Sequence, residues 1–196
     1  ISLEGVDGSG KSTQARLLAR WLQGAGRTVL LAREPGDTPL GESVRDLVLH
    51  GDEMAPWAEA ALFAAARAQL VAQEIRPALE RGEDVVLDRY LDSSVAYQGA
   101  GRGLGDDAVR GLSLTVTGGL LPDRTFLIDV DPDVARARGN GRPDRIERED
   151  DAFAGRVAAG YRHVAAADPA RVVAVDGSRS PDEIAEEIRE HVRALL

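Results

Sequence analysis

Short apolar runs of strand length alternate along this chain with longer segments in which apolar residues recur at helical spacing. The strand-length runs lie at residues 1–4, 29–32, 85–87, 125–130 and 172–175, and the helical segments lie at 12–22, 41–49, 58–81, 106–117, 133–138, 152–167 and 181–196. Strands that alternate with helices throughout a chain form a parallel sheet, because each connection has to cross a face of the sheet. The pattern predicts an α/β fold of one domain over residues 1–196, with a parallel five-stranded sheet and helices on both faces. Ligands of such sheets bind at the carboxyl ends of the strands.

The composition excludes several kinds of function. The 196 residues include no cysteine, so disulfides, thiolate nucleophiles and cysteine-ligated zinc are ruled out. A formal net charge of −9 argues against nucleic acid and anionic membranes as partners. The chain opens at Ile1 without methionine, which suggests trimming at that end, and no signal peptide is visible. We expect a cytoplasmic protein that captures any anionic ligand at a local cationic site.

Residues 5–12 read GVDGSGKS and match the pattern G-x-x-x-x-G-K-[ST]. They lie between the first apolar run and the first helical segment, where glycines let backbone N–H groups surround phosphate oxygens at a helix N-terminus. Lys11 is the only lysine among 24 basic residues. The pattern predicts a P-loop that binds a nucleoside triphosphate, with Lys11 on the β- and γ-phosphates and Ser12 on Mg²⁺. The predicted loop residues are Gly5, Gly8, Ser9, Gly10, Lys11, Ser12 and Thr13.

A carboxylate, Asp88, ends the third apolar run. That position is typical of a Walker-B acid near the metal, although a capping aspartate in a loop is the alternative. A guanine-specific GTPase is disfavoured because its Asn-Lys-x-Asp motif needs a second lysine. A motor or helicase acting on nucleic acid is disfavoured because it would need a basic groove.

Several further motifs follow the P-loop in a recognisable order. They are REPG at 33–36, PLGE at 39–42 with Arg45, FAAAR at 63–67, DRY at 88–90, SS at 93–94, YQG at 97–99, LIDVDP at 127–132 and DRIE at 144–147. Together they resemble the bacterial thymidylate kinases over essentially the whole chain. The resemblance implies a nucleotide-kinase-like P-loop fold and transfer of the γ-phosphoryl group of ATP to the 5′-phosphate of dTMP, which forms dTDP.

The implied acceptor is already an anionic nucleophile at pH 7, because the second pKa of a phosphate monoester is about 6. Catalysis then consists of positioning and charge neutralisation, without a general base. By resemblance, Arg45 and Arg89 hold the dTMP phosphate, and Glu34 works near the acceptor and the metal. Asp7 matches the acid that accepts from the sugar 3′-hydroxyl. One departure is Asp37, which replaces a glycine of the family loop and puts the turn and its charge in doubt.

The resemblance also implies which residues contact the base. Phe63 and Arg67 lie four residues apart and share a helix face; Phe63 would stack on thymine and Arg67 would donate to its O4 atom. Ser94 and Gln98 match residues on the remaining base edge, and Tyr97 matches a tyrosine that crowds the sugar 2′ position. Without the resemblance, a phenylalanine in a helix is more often a core residue.

By resemblance, the segment at about 139–150 is a lid that closes over ATP, although a solvated charged loop is the alternative. The variable P-loop positions 6–9 contain no arginine, so the lid is expected to supply the arginine that stabilises the transferred phosphoryl group. Arg145 is the first candidate and Arg142 the second. The resemblance further implies a homodimer.

Two other functions stay open at this point. One is a P-loop kinase for another nucleotide or a deoxynucleoside, and the other is a nucleotide-binding domain without turnover. Arg45 and Arg89 favour a phosphorylated acceptor over a deoxynucleoside.

Overall fold

A computed structural model describes residues 1–138 and 143–196. Within these residues, five parallel strands form one sheet in the order β2-β3-β1-β4-β5. The strands are β1 (Ser2–Glu4), β2 (Val29–Arg33), β3 (Asp84–Asp88), β4 (Thr125–Asp129) and β5 (Val172–Asp176). Each predicted apolar run therefore forms a strand.

The helices connect successive strands. They are α1 (Lys11–Gly24), α2 (Pro39–His50), α3 (Pro56–Leu70), α4 (Arg76–Glu80), α5 (Leu91–Ser94), α6 (Asp106–Thr117), α7 (Pro132–Arg138), α8 (Asp151–Ala167) and α9 (Pro181–Arg193). A π-helical stretch, Val71–Ile75, joins α3 to α4, so the predicted segment 58–81 is one helical rod with a widened turn.

One helical region was not predicted: α5 and the π-helical stretch Val95–Gly101 that follows it. Its serines and glycines are weak helix formers, so local propensity gives no clear signal. The stretch is held instead by packing against α6 and α8. Tertiary contacts thus override propensity here, in a region that lines the candidate site.

Helices cover both faces of the sheet, as expected for the α/β fold. Val86 of β3 and Phe126 of β4 pack against α1 and α9. Their strand neighbours point the other way: Val85 and Leu87 pack against the rod from α3 to α4, and Leu127 packs against α8. The predicted fold class is confirmed.

The loops that follow β1, β2 and β3 meet at one edge, because these strands are neighbours in the sheet. The Glu34 backbone N–H donates to the Asp88 carbonyl at 3.0 Å, and the Arg89 N–H donates to the Leu3 carbonyl at 2.9 Å. Arg142 lies outside the described residues, so its predicted role and the lid boundary stay predictions. Among the helices of residues 1–138 and 143–196, none is long and apolar enough to cross a membrane.

Candidate active site

The glycine-rich segment forms a tight turn between β1 and α1. Gly10 precedes the helix with φ of 98°, a left-handed conformation that glycine adopts without strain. Gly8 has φ of 80°, and a Cβ atom there would lie 2.0 Å from the Ala135 carbonyl oxygen. Only glycine fits, therefore, where α7 passes over the loop.

Lys11 is buried at the first turn of α1, with 6% of its surface exposed. Its Nζ donates to the Val6 carbonyl at 3.4 Å and to Asp7 Oδ1 at 3.1 Å. Burial and the nearby Arg89 lower the pKa of Lys11, and Asp7 partly offsets them. Lys11 is thus a fixed point charge inside the loop and not a solvated side chain.

A wide cleft beside the P-loop contains the predicted phosphate-binding groups Gly8, Lys11 and Ser12. Arg136 and Arg138 of α7 line its other side. The other predicted loop residues belong to the same turn or helix without lining the cleft; they are Gly5, Ser9, Gly10 and Thr13. We call this the phosphate cleft.

A second cavity adjoins the phosphate cleft, and we call it the acceptor pocket. The predicted substrate residues that line it are Asp7, Glu34, Arg45, Phe63, Arg67, Arg89, Ser94, Tyr97 and Gln98. Asp7, Tyr97 and Ile146 line both cavities. Two ligands, one in each cavity, would therefore meet next to Asp7.

Arg89 follows β3 with φ of 72°, an uncommon conformation for a residue other than glycine. Its guanidinium donates to the Gly5 carbonyl (3.0 Å), Ser93 Oγ (3.0 Å), Tyr161 Oη (2.9 Å), Asp7 Oδ1 (2.6 Å) and Tyr97 Oη (3.3 Å). These contacts fix the cation at the junction of the two cavities. Strained backbone held by many contacts is typical of functional sites.

Asp7 is the anion between the two cations of the site. Its Oδ1 atom accepts from both Lys11 and Arg89, at 3.1 and 2.6 Å. Burial would raise the pKa of Asp7, but Arg89 and Lys11 outweigh it and hold the pKa well below its usual value. The carboxylate within the phosphate loop, which is costly when unpaired, is therefore paired on both sides.

Glu4, the last residue of β1, lies beneath Arg89 and is 1% exposed. It accepts from the Tyr90 backbone N–H at 2.8 Å and from the Ser93 hydroxyl. Burial, together with Asp92, raises the pKa of Glu4 to about 8. Ser93 lies inside α5 and links Glu4 to Arg89.

Arg67 is 1% exposed and reaches into the acceptor pocket from α3. It donates to Glu34 Oε2 (2.7 Å), Ser113 Oγ (3.0 Å), the Tyr90 carbonyl (3.3 Å) and Ser94 Oγ (2.9 Å). Four of its five N–H groups thus have acceptors, which leaves one on Nη1 for a ligand.

Glu34 is the buried partner of Arg67 and is 5% exposed. Burial raises the pKa of Glu34 to about 7, although Arg67 works in the opposite direction. Its second oxygen, Oε1, is buried without a hydrogen-bond partner among the described residues. That oxygen is available to a donor group of a ligand.

Asp37 keeps the turn that the family builds with glycine. It adopts φ of 57°, which aspartate tolerates better than most residues. Its carboxylate accepts from the Arg33 N–H at 2.7 Å, and its own N–H donates to Glu42 at 2.9 Å. Asp37 does not line the acceptor pocket, so its charge is directed away from the site.

Ser12 and Asp88 were predicted to hold Mg²⁺. Ser12 lines the phosphate cleft, and Asp88 Oδ1 is buried without a hydrogen-bond partner among the described residues. The same residues contain no group of three or more ionisable side chains that could ligate a metal. A metal held by these residues would take most of its ligands from phosphate and water, as Mg²⁺ does. Asp88 lines neither cavity, so the metal role of the two residues stays a prediction.

Arg145 lines neither cavity, although its neighbours Asp144 and Ile146 line the acceptor pocket. Its guanidinium donates to the Val48 carbonyl at 2.9 Å and to Glu59 Oε2 at 2.7 Å, and the residue is 9% exposed. The structure therefore does not bring this candidate to the P-loop, and its predicted catalytic role stays a prediction. Arg136 and Arg138 of α7, by contrast, line the phosphate cleft.

Several residues of the site were missed by sequence reasoning: Glu4, Glu59, Ser113, Arg138 and Tyr161. Glu4 alone leaves a sequence signal, because a carboxylate inside an apolar run that precedes a P-loop is unusual. The others lie on helices, where a polar residue is ordinarily read as solvent-facing.

Comparisons with known proteins agree with this geometry. The family model described as thymidylate kinase matches residues 3–188. The thymidylate kinase of Leifsonia xyli subsp. xyli is 59% identical over 194 residues, which cover 96% of this chain and 91% of that protein. The thymidylate kinase of Deinococcus radiodurans is 51% identical over 192 residues, which cover 96% of this chain and 93% of that protein.

Among solved structures, the crystal structure of thymidylate kinase from Ehrlichia chaffeensis resembles this fold with a TM-score of 0.80 and 32% sequence identity. The match covers 98% of this chain and 96% of that one.

Proposed function

This chain belongs to the thymidylate kinase family, and from that premise we propose how its residues share the work of the reaction. It phosphorylates dTMP to dTDP with ATP as the donor. The relatives give no support to another acceptor or to a domain without turnover. The observation that carries the residue roles is the pair of adjoining cavities that meet at Asp7.

The acceptor pocket holds dTMP, and Arg89 and Arg45 bind its 5′-phosphate. Arg89 lies at the junction of the cavities, next to the transferred group. Arg45 lines the same pocket and donates to the Pro35 carbonyl at 3.0 Å, which keeps its guanidinium near the loop after β2. Planar guanidinium groups bind phosphate oxygens through paired hydrogen bonds.

The phosphate cleft holds the triphosphate of ATP. Lys11 lies at the boundary with the acceptor pocket, because its Nζ and Arg89 Nη2 contact the same oxygen of Asp7. The two cations therefore flank the position that a transferred phosphoryl group has to cross. Lys11 neutralises the donor side and Arg89 the acceptor side.

Mg²⁺ is the expected metal, with Ser12 and Asp88 as its protein ligands. When bound, it neutralises charge on the β- and γ-phosphate oxygens. Asp88 would bind the metal through Oδ1, the carboxylate oxygen that is buried without a hydrogen-bond partner among the described residues.

The base is read by donors and acceptors at the inner end of the acceptor pocket. The free N–H of Arg67 suits the O4 atom of thymine and conflicts with the N4 amino group of cytosine, since both would be donors. Ser94 acts through Arg67, because its hydroxyl accepts from that guanidinium at 2.9 Å. Phe63 lines the pocket for stacking, and Tyr97 stands beside Asp7 at the sugar end.

Replacing Arg67 with alanine is expected to lower the ratio of kcat/KM for dTMP over dCMP by about tenfold or more, since an unpaired buried donor costs about 1–3 kcal/mol. Wild type should use dTMP well, dUMP more weakly and dCMP poorly. An assay of ADP release with these monophosphates measures the ratio on one enzyme preparation, so partial unfolding cancels. Ser113→Ala is the control, because it removes a partner of Arg67 outside the pocket. An unchanged ratio in Arg67→Ala would show that another residue reads the base.

The segment around 139–150, together with α7, is proposed to close over ATP. Its described part lines both cavities through Ile146. Two arginines are candidates for contacting the transferred phosphoryl group. The sequence motif favours Arg145, and the position in the phosphate cleft favours Arg138.

A cytoplasmic homodimer is the proposed working form, since the cytoplasm holds the nucleotide substrates. Exposed apolar side chains on α2 and α3 favour self-association: Leu47 is 52% exposed and Trp57 is 49% exposed. Light scattering of the purified chain is expected to give twice the 20.9 kDa chain mass, and the single-chain mass would contradict the dimer.

A further inference from the structure

Building on the proposed reading of the base in the acceptor pocket, where the family resemblance puts Gln98 on one base edge, we infer that Glu59 is a positioning residue that fixes the direction of the Gln98 amide and thereby the choice of thymine over cytosine. Glu59 lies on α3 and is 1% exposed. It does not line the acceptor pocket, whereas Gln98 does. Any effect of Glu59 on base choice must therefore pass through another side chain.

Three side chains from two other parts of the chain converge on the Glu59 carboxylate. Gln98 Nε2 donates to Oε1 at 2.9 Å. Arg102 donates to Oε1 at 3.2 Å and to Oε2 at 3.0 Å, and Arg145 donates to Oε2 at 2.7 Å. Glu59 therefore joins α3, the helical stretch after β3 and the segment that precedes α8.

The two arginines keep Glu59 ionised. Burial alone would raise the pKa of this carboxyl, but hydrogen bonds from Arg102, Gln98 and Arg145 outweigh it and lower the pKa. An ionised carboxylate only accepts hydrogen bonds. Gln98 must then present its NH₂ group to Glu59, and the amide cannot turn over without placing its own oxygen against a carboxylate oxygen.

With its NH₂ group held, Gln98 directs Oε1 to the opposite side, into the acceptor pocket. The Gln98 side chain is buried, with 1% of the residue exposed. No donor of the described residues lies within hydrogen-bond distance of Oε1, and this oxygen is not among the fully enclosed unpaired atoms. The pocket thus receives an acceptor of fixed direction.

A fixed acceptor distinguishes the two pyrimidines at N3. Thymine and uracil carry an N3–H donor that pairs with Oε1, whereas the neutral cytosine N3 is an acceptor and repels it. Arg67 distinguishes the two bases in the same way, because its N–H donor pairs with the O4 atom of thymine and not with the N4 amino group of cytosine. The two residues therefore read adjacent atoms of one base edge, and Glu59 prevents Gln98 from adapting to cytosine.

The alternative is that Glu59 only neutralises Arg102 and Arg145. Glu59→Gln separates the two roles. Its neutral amide can accept a hydrogen bond from the Gln98 amide or donate one to it, so the direction of the Gln98 amide is no longer fixed. We expect the ratio of kcat/KM for dTMP over dCMP to fall about tenfold in Glu59→Gln, through a rise in KM for dTMP and better use of dCMP. A purely structural role would lower the melting temperature and leave this ratio unchanged.

Arg102→Gln is the matched control, since it removes a partner of Glu59 and leaves the contact to Gln98 intact. It should lower the melting temperature and keep the wild-type ratio. Should Glu59→Gln fold poorly, the double variant with Arg102→Gln removes one charge of each sign, and the same fall in the ratio is expected.

Gln98→Ala separates failure of this inference from failure of the proposed base-reading role. We expect Gln98→Ala to lower the ratio, and Glu59→Gln added to it to change the ratio no further. An unchanged ratio in Gln98→Ala overturns the reading of the base by Gln98 and the inference with it. The inference alone is overturned if Gln98→Ala lowers the ratio while Glu59→Gln keeps the wild-type ratio. It is also overturned if Glu59→Gln lowers the ratio equally in the wild-type and the Gln98→Ala backgrounds.

Discussion

Lys11→Ala is expected to abolish turnover, with a loss in kcat of about 10³-fold or more, while the protein stays folded. Removal of one fixed donor or cation at developing charge typically costs about 10²–10³ in rate, and Lys11 is the only lysine available to the loop. The fold is expected to survive because Asp7 keeps Arg89 as its partner, so no buried carboxylate is left unpaired. Steady-state kinetics and thermal melting measure the two effects separately.

Lys11→Arg is also expected to abolish turnover, although it keeps the positive charge. A guanidinium is larger and planar, and the Lys11 ammonium lies 3.1 Å from Asp7 in a site that leaves the residue 6% exposed. Arg16→Ala on the exposed side of the same helix is the control for loss of charge. Near-normal kcat in either Lys11 variant would contradict the P-loop assignment.

The parts of the site that follow strand ends were predictable from the sequence, and the physical reason is local. The apolar runs give the strands, and parallel strands bring their carboxyl ends to one edge. Asp88 and Gly5 are therefore placed by position alone, before any contact is known. Lys11 is placed by the pattern of glycines around it, since that pattern has one common structural solution.

The parts that were not predictable are contacts between buried polar residues far apart in the chain. Glu59 meets Arg145 across 86 positions, and Glu4 meets Ser93 across 89. Helical periodicity treats a charged residue such as Glu59 as solvent-facing, although this residue is 1% exposed. Their partners become visible only when the fold is known, so sequence reasoning found many of the residues that line the two cavities and missed those that hold them.

The choice of the arginine that stabilises the transferred phosphoryl group shows the same limit of sequence reasoning. The lid motif predicted Arg145, whereas the structure pairs Arg145 with Glu59. Moving Arg145 to the P-loop would break a buried ion pair, and loss of one partner from such a pair costs about 3–5 kcal/mol. Arg138, by contrast, lines the phosphate cleft already and, among the described residues, donates to one neutral acceptor, the Gly177 carbonyl, at 2.8 Å. A contact to a single carbonyl is more easily exchanged for a phosphate oxygen.

We therefore expect Arg138→Ala to lower kcat by about a hundredfold or more, since an arginine at a transferred phosphoryl group is worth about 10³–10⁵. The Kd for dTMP should change little, because we propose Arg89 and Arg45, and not Arg138, as the residues that hold its phosphate. Arg145→Ala should mainly lower the melting temperature and change kcat by less than about tenfold. Single-turnover kinetics, dTMP titration and thermal melting of both variants separate these outcomes.

Arg148→Ala is the control for loss of charge, since Arg148 is exposed and, within residues 1–138 and 143–196, its side chain donates only to the Pro143 carbonyl at 3.4 Å. Arg136→Ala and Arg142→Ala complete the series. A hundredfold loss of kcat in Arg145→Ala at an unchanged melting temperature would establish the sequence-based assignment instead, and would require the Glu59 pair to open during the reaction. Wild-type turnover in every variant, including the Arg136→Ala/Arg138→Ala double, would leave Lys11 and the metal to neutralise the transferred charge alone.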